Sequence, residues 1–365
     1  MKIVTVIGAR PQFIKAAALS RVLRRQKGVQ EILVHTGQHF DANMSEIFFV
    51  QMDIPKPDYN LEVAGLNHGA MTGRMLEKIE QVLLDEKPDR VLVYGDTNST
   101  LAGALAASKL HIPVAHVEAG LRSFNMRMPE EINRIVTDRL SDKLFCPTDT
   151  AVKNLKSEGF EDFKGCQIIK SGDVMQDAAI YYASKSISPQ SIKGELSLEE
   201  PFGLVTIHRA ENTDNHERLN SIMDALREIS IELPLLIPLH PRTKKKLIEA
   251  GFDPENHIFQ TEQFSFIDPV GYLEMVYLLQ QCSIVMTDSG GLQKEAFFFN
   301  KPCVTLRDET EWVELVEGGF NMLIGSNKEK IINGVKQMRS VAVNDVNNLY
   351  GGGTAAKKIV ANLME

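Results

Sequence analysis

The 365-residue sequence lacks the features that mark several classes of protein. No apolar run is long enough to span a membrane, and no block of basic residues indicates a nucleic-acid surface. The net charge is −8, from 40 Lys and Arg against 48 Asp and Glu. We therefore expect neither a membrane nor a nucleic acid as a partner. The first apolar run soon meets residues 8–11 (Gly-Ala-Arg-Pro), which predicts a strand and a turn rather than a signal peptide.

Signatures of metals, redox cofactors and disulfides are also missing. The four cysteines are scattered without a CxxC pair, which favours core thiols in a reduced, cytoplasmic protein. The chain has no Asp-x-Asp pair and no Cys/His cluster with zinc spacing. Its first turn has one glycine and a proline where a dinucleotide-binding turn has more glycines. The sequence therefore predicts neither a metal nor a cofactor.

What the chain does contain is a regular alternation of strands and helices, which predicts an α/β protein. Residues 1–183 are expected to form one doubly wound parallel sheet, and the polar stretch 184–200 a connection. A second series of strands and helices predicts a second domain over 184–350. Residues 354–365 are predicted to be a terminal helix, with Thr354 as its N-cap.

Acidic residues gather after two apolar strands of the first half. Asp96 follows residues 91–94 and Glu118 ends the next apolar run, so both are expected at the carboxyl edge of one parallel sheet, where ligands bind. Glu131 opens the helix that comes next. Taken singly, Asp96 could be a helix cap and Glu118 a partner of Arg122. Together, acids at two neighbouring strand ends indicate proton transfer.

Polar residues in the second half indicate an anion site. Residues 288–291 (Asp-Ser-Gly-Gly) join an apolar strand to a helix, and their glycines let a phosphate approach the backbone N–H groups. Glu295 lies one turn further, where an acid can accept hydrogen bonds from two ribose hydroxyls. Arg209, Arg242 and Arg307 at other strand ends could offset the charge of a diphosphate. A tight turn capped by Ser289 is the alternative.

The motifs that carry these residues resemble a known family. In chain order they read GARPQFIK, HTGQHFD, YGDTNSTLAGALAA, HVEAGLRS, PEEINR, HRAEN, HPRT and TDSGGLQKEA. As a set they resemble the non-hydrolysing UDP-N-acetylglucosamine 2-epimerases over nearly the whole chain. The resemblance implies a glycosyltransferase-B-like fold of two Rossmann-like domains, with the active site in the interdomain cleft and the terminal helix packed on the first domain. It also implies a homodimer and a UDP-sugar as substrate.

The resemblance further implies a mechanism and a role for each matching position. A base removes the C2 proton while UDP leaves C1, a 2-acetamidoglucal forms, and UDP adds back after the proton has returned on the other face. The catalytic positions are Asp96, Glu118, Glu131 and His208, the last assisting the departure of UDP. The substrate- and UDP-binding positions are Arg10, Lys15, Arg134, His240, Arg242, Met275, Ser289, Gly290, Gly291 and Glu295. A second, regulatory UDP-sugar site is implied at Gln38, His39, Arg74 and Arg209.

Some motifs depart from the commoner family pattern. GARPQ, HRAEN and residues 310–314 (TEWVE) stand where GTRPE, HRREN and TERPE are more usual. GARPQFIK and TEWVE look more like the branch that acts on UDP-2,3-diacetamido-2,3-dideoxy-glucuronic acid. A UDP-sugar glycosyltransferase of the same fold, a hydrolysing epimerase and a catalytically silent UDP-sugar sensor are the alternatives. The three acids favour an epimerase.

Overall fold

The computed structural model describes residues 1–38, 56–189, 201–252, 264–345 and 348–365, apart from the side chain of Arg10. The chain divides into two compact units. The N-terminal unit comprises Met1–Ala178 together with Asn347–Glu365, and the C-terminal unit comprises Ala179–Val346. Each unit is built around a parallel sheet of its own.

The N-terminal unit has a seven-stranded sheet. Its strands are β1 (Lys2–Ile7), β2 (Gln30–His35), β3 (Tyr59–Asn60), β4 (Arg90–Tyr94), β5 (Val114–Val117), β6 (Lys143–Cys146) and β7 (Gln167–Lys170). They lie in the order β3-β2-β1-β4-β5-β6-β7, and every neighbouring pair is parallel. The order reverses direction between β1 and β4. In sheets of this kind, that reversal opens a crevice beyond the carboxyl ends of the two strands.

Helices cover this sheet. They are α1 (Arg10–Leu23), α2 (His68–Glu86), α3 (Asn98–Lys109), α4 (Pro129–Leu140), α5 (Asp149–Ser157), α6 (Val174–Ala183) and the terminal α14 (Ala355–Leu363), with a short 3₁₀ helix at Phe160–Asp162. Residues 91–94 of the central strand β4 are all fully buried apolar side chains. A continuous apolar run of this kind is expected for a parallel strand that is covered on both faces.

The C-terminal unit repeats the same order with six parallel strands. These are β8 (Gly203–Thr206), β9 (Leu235–Pro238), β10 (Phe264–Ile267), β11 (Ile284–Thr287), β12 (Cys303–Thr305) and β13 (Asn321–Leu323), arranged β10-β9-β8-β11-β12-β13. Its helices are α7 (Ala210–Thr213), α8 (His216–Ile229), α9 (Pro241–Glu249), α10 (Tyr272–Gln281), α11 (Gly290–Phe298), α12 (Val313–Glu317) and α13 (Lys328–Met338). The direction reverses between β8 and β11, which places the second crevice beyond those strands.

The terminal helix belongs to the N-terminal unit and packs against α1. Thr354 occupies its N-cap position, but its hydroxyl donates to the carbonyl of Gly351 at 2.9 Å and makes no capping bond. The prediction that Thr354 caps this helix is therefore wrong in its chemistry. Asp177 supplies the cap, since its carboxylate accepts hydrogen bonds from the N–H groups of Ala355 and Ala356 at 3.1 and 3.0 Å.

Among the described residues, no helix combines the length and the apolar character that crossing a membrane requires.

Candidate active site

Asp96 and Glu118 lie at the carboxyl ends of adjacent strands. In the β4–β5 pair Tyr94 stands opposite Val117, so Glu118 follows its strand directly and Asp96 comes two residues after β4. The prediction that both acids share one edge of the sheet is confirmed. This edge adjoins the reversal between β1 and β4, where ligand crevices form.

Glu118 is held in an unusual backbone conformation. Its φ of 73° lies in the left-handed region, which side chains larger than glycine rarely adopt. Such strain, of roughly 1–3 kcal/mol, is most often found at functional sites. The carboxylate of Glu118 forms an ion pair with the ammonium of Lys15 from α1, and both side chains are largely buried. The alternative in which Glu118 pairs with Arg122 is wrong.

Asp96 is anchored through both its backbone and its side chain. Its carboxylate pairs with the guanidinium of Arg134, and its carbonyl accepts a hydrogen bond from the amide of Asn133 at 2.9 Å. Burial raises the pKa of Asp96, although the positive charge of Arg134 opposes that shift. A carboxyl group with a raised pKa is suited to taking up and returning a proton near neutral pH. The helix cap is made by the adjacent Thr97, whose hydroxyl accepts from the N–H of Thr100.

Glu131 is fully buried and surrounded by donors. Its carboxylate accepts hydrogen bonds from the N–H and hydroxyl of Ser123, both at 3.0 Å, and from the N–H of Phe124 at 2.9 Å. Arg134 donates to it as well, at 3.0 Å, and so links Glu131 to Asp96. Arg134 thus joins two of the three predicted acids, and Glu118 lies close enough for its charge to raise the pKa of Asp96 further.

In the C-terminal unit, Asp288 organises the turn that follows β8. This fully buried carboxylate accepts from the N–H groups of His208 and Arg209 at 3.0–3.1 Å and from the amide of Asn212 at 3.1 Å. Burial would raise the pKa of Asp288, but the hydrogen bond from His208 and the other donors hold it below its ordinary value. Nδ1 of His208 lies 3.2 Å from Oδ1 of Asp288, while the imidazole remains half exposed. This contact fixes the orientation of the ring.

The predicted anion turn begins α11. Ser289 is its N-cap and accepts from the N–H of Leu292 at 3.4 Å, so the predicted cap is present. Gly290 lies against the carboxylate of Glu311, which forms an ion pair with Arg307 at 3.0 Å. Burial would raise the pKa of Glu311, but the charge of Arg307 brings it below its ordinary value. Glu295 is buried one turn further along α11.

Three other predicted UDP positions lie elsewhere in this unit. His240 is the N-cap of α9, where its Nδ1 accepts from the N–H of Arg242 at 3.2 Å. Arg242 itself forms an exposed ion pair with Asp214 at 2.8 Å. Met275, on α10, is partly buried and packs against the apolar cluster that contains Leu236. A Cβ added to Gly291 would meet no atom within 4 Å, in contrast to one added to Gly290.

These two strand edges carry the motifs of a UDP-sugar enzyme, and comparison with known proteins identifies which one. A model of the UDP-N-acetylglucosamine 2-epimerase family matches residues 21–364. The chain belongs to this family. The UDP-2,3-diacetamido-2,3-dideoxy-D-glucuronate 2-epimerase of Pseudomonas aeruginosa is 58% identical over 364 residues, which cover 100% of this chain and 99% of that protein. The UDP-N-acetylglucosamine 2-epimerase of Methanocaldococcus jannaschii is 44% identical, covering 99% of this chain and 98% of the relative.

Solved structures of the same epimerase family agree with this assignment. The M. jannaschii enzyme in complex with UDP-GlcNAc and UDP superposes with a TM-score of 0.87 at 42% identity, over 100% of this chain and 99% of that one. The Neisseria meningitidis enzyme bound to UDP-GlcNAc gives 0.86 at 32% identity, over 100% of both chains. The predicted α/β, glycosyltransferase-B-like fold class is confirmed. So is the predicted activity class, a non-hydrolysing epimerase, and thus an isomerase, of UDP-sugars.

The positions predicted to form a regulatory site each make separate contacts. The amide oxygen of Gln38 accepts from the N–H and hydroxyl of Ser99, at 3.1 and 2.8 Å, and so caps α3. Arg74 is exposed on α2 and pairs with Glu77. Arg209 lies beside Gly290. His39 falls outside the described residues, as does the side chain of Arg10 among the UDP positions. The regulatory site stays a prediction.

The sequence did not reveal the buried residues that hold the turns on which the acids lie. His116, Gln12, Asn133 and Asp138 are all buried polar side chains in contact with the turns after β1, β4 and β5. One signal was present, because the helix PEEINRIVTDRL has polar residues where a covering helix would have its apolar stripe. Its buried residues are Glu131, Asn133, Arg134, Thr137 and Asp138. Across the described part of the chain, no group of three or more His, Cys, Asp or Glu side chains could hold a metal ion.

Proposed function

We propose that this protein inverts C2 of UDP-2,3-diacetamido-2,3-dideoxy-glucuronate by eliminating UDP and adding it back through a 2-acetamidoglucal. The observation that carries the mechanism is the placement of Asp96 and Glu118 at adjacent strand ends, each with a cationic partner. The choice of sugar is supported by the Pseudomonas relative, 58% identical over its full length. UDP-N-acetylglucosamine is the second candidate, since other full-length relatives carry that name.

The carboxylates would carry out the proton transfers. The C2 proton of an acetamido sugar is weakly acidic, so its removal needs a positioned base and a good leaving group. Inversion also needs a proton donor on the opposite face, which a single carboxylate cannot supply. We assign these two roles to Asp96 and Glu118. Glu131 would act through Arg134 and the loop at Ser123, because four hydrogen bonds already occupy its buried carboxylate.

The C-terminal unit would bind the UDP. The N-terminus of α11 offers backbone N–H groups and the positive end of a helix dipole to the diphosphate, and Arg209 lies beside it. Glu295, within the same helix, would accept the ribose hydroxyls. His208 is oriented by Asp288 through Nδ1, which leaves Nε2 to protonate or hydrogen-bond the departing phosphate.

An experiment in D₂O tests both the mechanism and the substrate. Purified protein is given each of the two UDP-sugars, and the C2 epimers are followed by NMR. We expect product that carries deuterium at C2, with the diacetamido-glucuronate converted at least about tenfold faster in kcat/KM, a difference of about 1.4 kcal/mol. Product without deuterium would rule out proton exchange. Release of UDP with free sugar would indicate the hydrolysing reaction, and a preference for UDP-N-acetylglucosamine would overturn the choice of sugar.

A homodimer is proposed from the outer face of α4. This helix buries Glu131, Arg134 and Asp138 and leaves Ile132 and Val136 exposed, the reverse of a helix that covers a monomer's core. Phe124 and Met126, in the loop before it, are 76% and 60% exposed, and Ile132 and Val136 continue the surface on the helix. Apolar groups clustered in this way are typical of protein interfaces.

Sedimentation of a variant tests the homodimer. Met126→Ser combined with Ile132→Lys should yield a monomer, because a charge and a hydroxyl replace buried apolar contacts at the interface. Leu84→Lys, at an exposed apolar position on α2, is the matched control and should stay dimeric. A monomeric wild type would contradict the proposal.

A further inference from the structure

His116 is a fully buried histidine in the middle of the site, and its ring touches acceptors on both sides. It belongs to β5, two residues before Glu118. Its Nδ1 lies 2.7 Å from Oδ1 of Asp138 on α4. Its Nε2 lies 2.7 Å from the carbonyl oxygen of Gly95, the residue before Asp96.

These partners determine how many protons the ring carries. The carbonyl of Gly95 can only accept, so Nε2 bears a hydrogen. Asp138 is ionised: besides His116, it accepts from the guanidinium of Arg122 at 2.8 Å and from the N–H of Gly120 at 3.2 Å. Burial would raise the pKa of Asp138, but the hydrogen bonds and charges of His116 and Arg122 bring it below its ordinary value. An ionised carboxylate requires a hydrogen on Nδ1 as well, so the ring is an imidazolium.

The charge of this imidazolium is balanced within the protein. Asp138 faces it directly, and Arg122 joins Asp138 to Glu158 through two further hydrogen bonds of 2.7 and 2.8 Å. Two cations and two anions therefore alternate along one chain of contacts. A buried ion is tolerated when it is paired and hydrogen-bonded in this way, whereas removing one member leaves a costly unpaired charge.

Two members of this network, His116 and Asp138, form hydrogen bonds with the turns that carry the proposed proton-transfer groups. His116 donates to Gly95, whose φ of 62° forms the turn into Asp96. Asp138 accepts from Gly120, whose φ of 80° forms the turn after Glu118. The backbone of both turns is thus fixed by one continuous set of side chains. Lys15 and Arg134 hold the carboxylates of Glu118 and Asp96, and this network holds the peptides beside them.

We propose that His116, held as an imidazolium between Asp138 and Gly95, is a positioning residue that sets the spacing of Asp96 and Glu118. This inference rests on the proton-transfer roles proposed above for those two acids. Correct spacing decides whether the proton returns to the face opposite to the one it left. A loosened turn at Gly95 should therefore return the proton to the original face more often, which exchanges hydrogen at C2 without inverting it.

The protonation state can be measured without any activity. In protein with ¹⁵N-labelled histidine, both ring nitrogens of His116 should give the signals of protonated nitrogens at pH 8. His35 is an internal control, since it is also buried in the N-terminal unit, its Nδ1 accepts from the N–H of Gly37, and burial lowers its pKa. It should show one protonated and one bare nitrogen. A bare nitrogen at His116 would overturn the proposal.

Positioning is tested by a ratio of rates in D₂O. For wild type and His116→Gln, deuterium is measured in the recovered substrate and in the epimer. We expect kcat to fall at least about tenfold in His116→Gln, with exchange into recovered substrate rising relative to epimerisation. His35→Gln, the matched control, lowers both rates in proportion if it lowers them at all. A merely structural role for His116 predicts that same unchanged ratio, which would contradict the proposal.

Two further arms complete the design. Should His116→Gln fail to fold, Asp138→Asn replaces it, because the amide keeps the shape of the carboxylate and removes the charge that stabilises the imidazolium. Its exchange-to-epimerisation ratio is expected to rise in the same way, and an unchanged ratio counts against the proposal. Absence of any C2 deuterium in the wild-type reaction would instead remove the proposed function, while the ¹⁵N result on His116 would still decide its charge.

Discussion

Lys15 and Glu118 form a buried ion pair that packs directly on the Cα of Gly95. A Cβ placed on Gly95 would lie 3.2 Å from both Nζ of Lys15 and Oε2 of Glu118. The glycine therefore serves two purposes, because it adopts a φ of 62° and leaves room for the pair. Helix α1, strand β4 and strand β5 meet at this one point, beside the reversal in strand order.

The role of Glu118 can be separated from substrate binding. Glu118→Gln keeps the size of the side chain and a hydrogen-bonding oxygen, but it cannot take up the C2 proton. We expect kcat to fall by about 10²-fold or more, with the affinity for UDP changed less than about twofold. Calorimetry with UDP and NMR assays of epimerisation provide the two measurements. Glu80→Gln, at an exposed acid of α2, is the control and should leave both unchanged.

Adjacent glycines at the start of α11 give a matched pair of variants. Gly290→Ala would place a Cβ against the carboxylate of Glu311 and disturb its ion pair with Arg307, so thermal stability and UDP affinity should both fall. Gly291→Ala meets no atom within 4 Å, so the melting temperature should hold or rise slightly, since alanine favours a helix. Melting curves with and without UDP distinguish the two. Equal destabilisation by both would show that the Glu311 contact is unimportant.

Gln12 explains one departure from the commoner motif of the family. Its amide oxygen accepts from the N–H groups of Gly8 and Ala9 at 2.8 and 3.0 Å, and its amide nitrogen donates to the carbonyl of Tyr94 at 2.8 Å and to Thr100 at 2.9 Å. Gln12→Glu would bring a carboxylate oxygen against the Tyr94 carbonyl in a buried position. We expect a loss of about 1–3 kcal/mol in the free energy of unfolding, measured by urea denaturation. An unchanged midpoint of urea denaturation would show that the amide of Gln12 does not stabilise the fold in this way.

Glu31 predicts a stability difference that depends on pH. Burial raises the pKa of this carboxyl, which accepts a hydrogen bond from Thr5 at 2.7 Å. Because its folded pKa is above its unfolded value, its favourable contribution is complete below the unfolded pKa and is lost as pH rises through the folded one. Glu31→Gln has no ionisation penalty, so it should melt at a higher temperature than wild type at pH 8.

The same variant supplies its own check at lower pH. The advantage of Glu31→Gln should shrink as the pH approaches the ordinary range of a glutamate, because wild-type Glu31 is then protonated in both states. Glu86→Gln is a control of opposite sign, since hydrogen bonds from Tyr59 and Lys2 lower the pKa of Glu86. It should destabilise at pH 8. A constant difference across pH for Glu31→Gln would contradict the assignment.

Sequence patterns predicted the elements well because parallel strands are almost wholly apolar and end at polar turns. Asp96 and Glu118 were placed on one edge of the sheet by the parallel arrangement alone. Which polar side chains pair with each other could not be predicted in the same way. Lys15 lies 103 residues from Glu118. Asp138 bonds to His116, Gly120 and Arg122, which precede it by 22, 18 and 16 residues. Local spacing favoured Arg122 for Glu118, but folding brought Lys15 there.

Helix α4 shows why side-chain polarity can mislead. The polar positions in its sequence fit either a solvated face or a buried polar one, and in the structure that face is buried and holds Glu131, Arg134 and Asp138. Only knowledge of what lies beneath the helix, here the two acid-bearing turns, reveals that the charges face inward. The cap of the terminal helix could not be predicted from local sequence either, because Asp177 lies 178 residues from the N–H group of Ala355.

The return of α14 to the N-terminal unit has a consequence for the order of folding during synthesis. Residues 179–346 form an uninterrupted unit, whereas the other unit needs residues 347–365 to cover α1 and to bond Asp177 and Asp173. The half that leaves the ribosome first is therefore the half completed last. Until residues 347–365 have been synthesised, the surface of α1 that α14 covers stays open, and a nascent chain stalled before residue 347 would carry one finished unit and one unfinished unit.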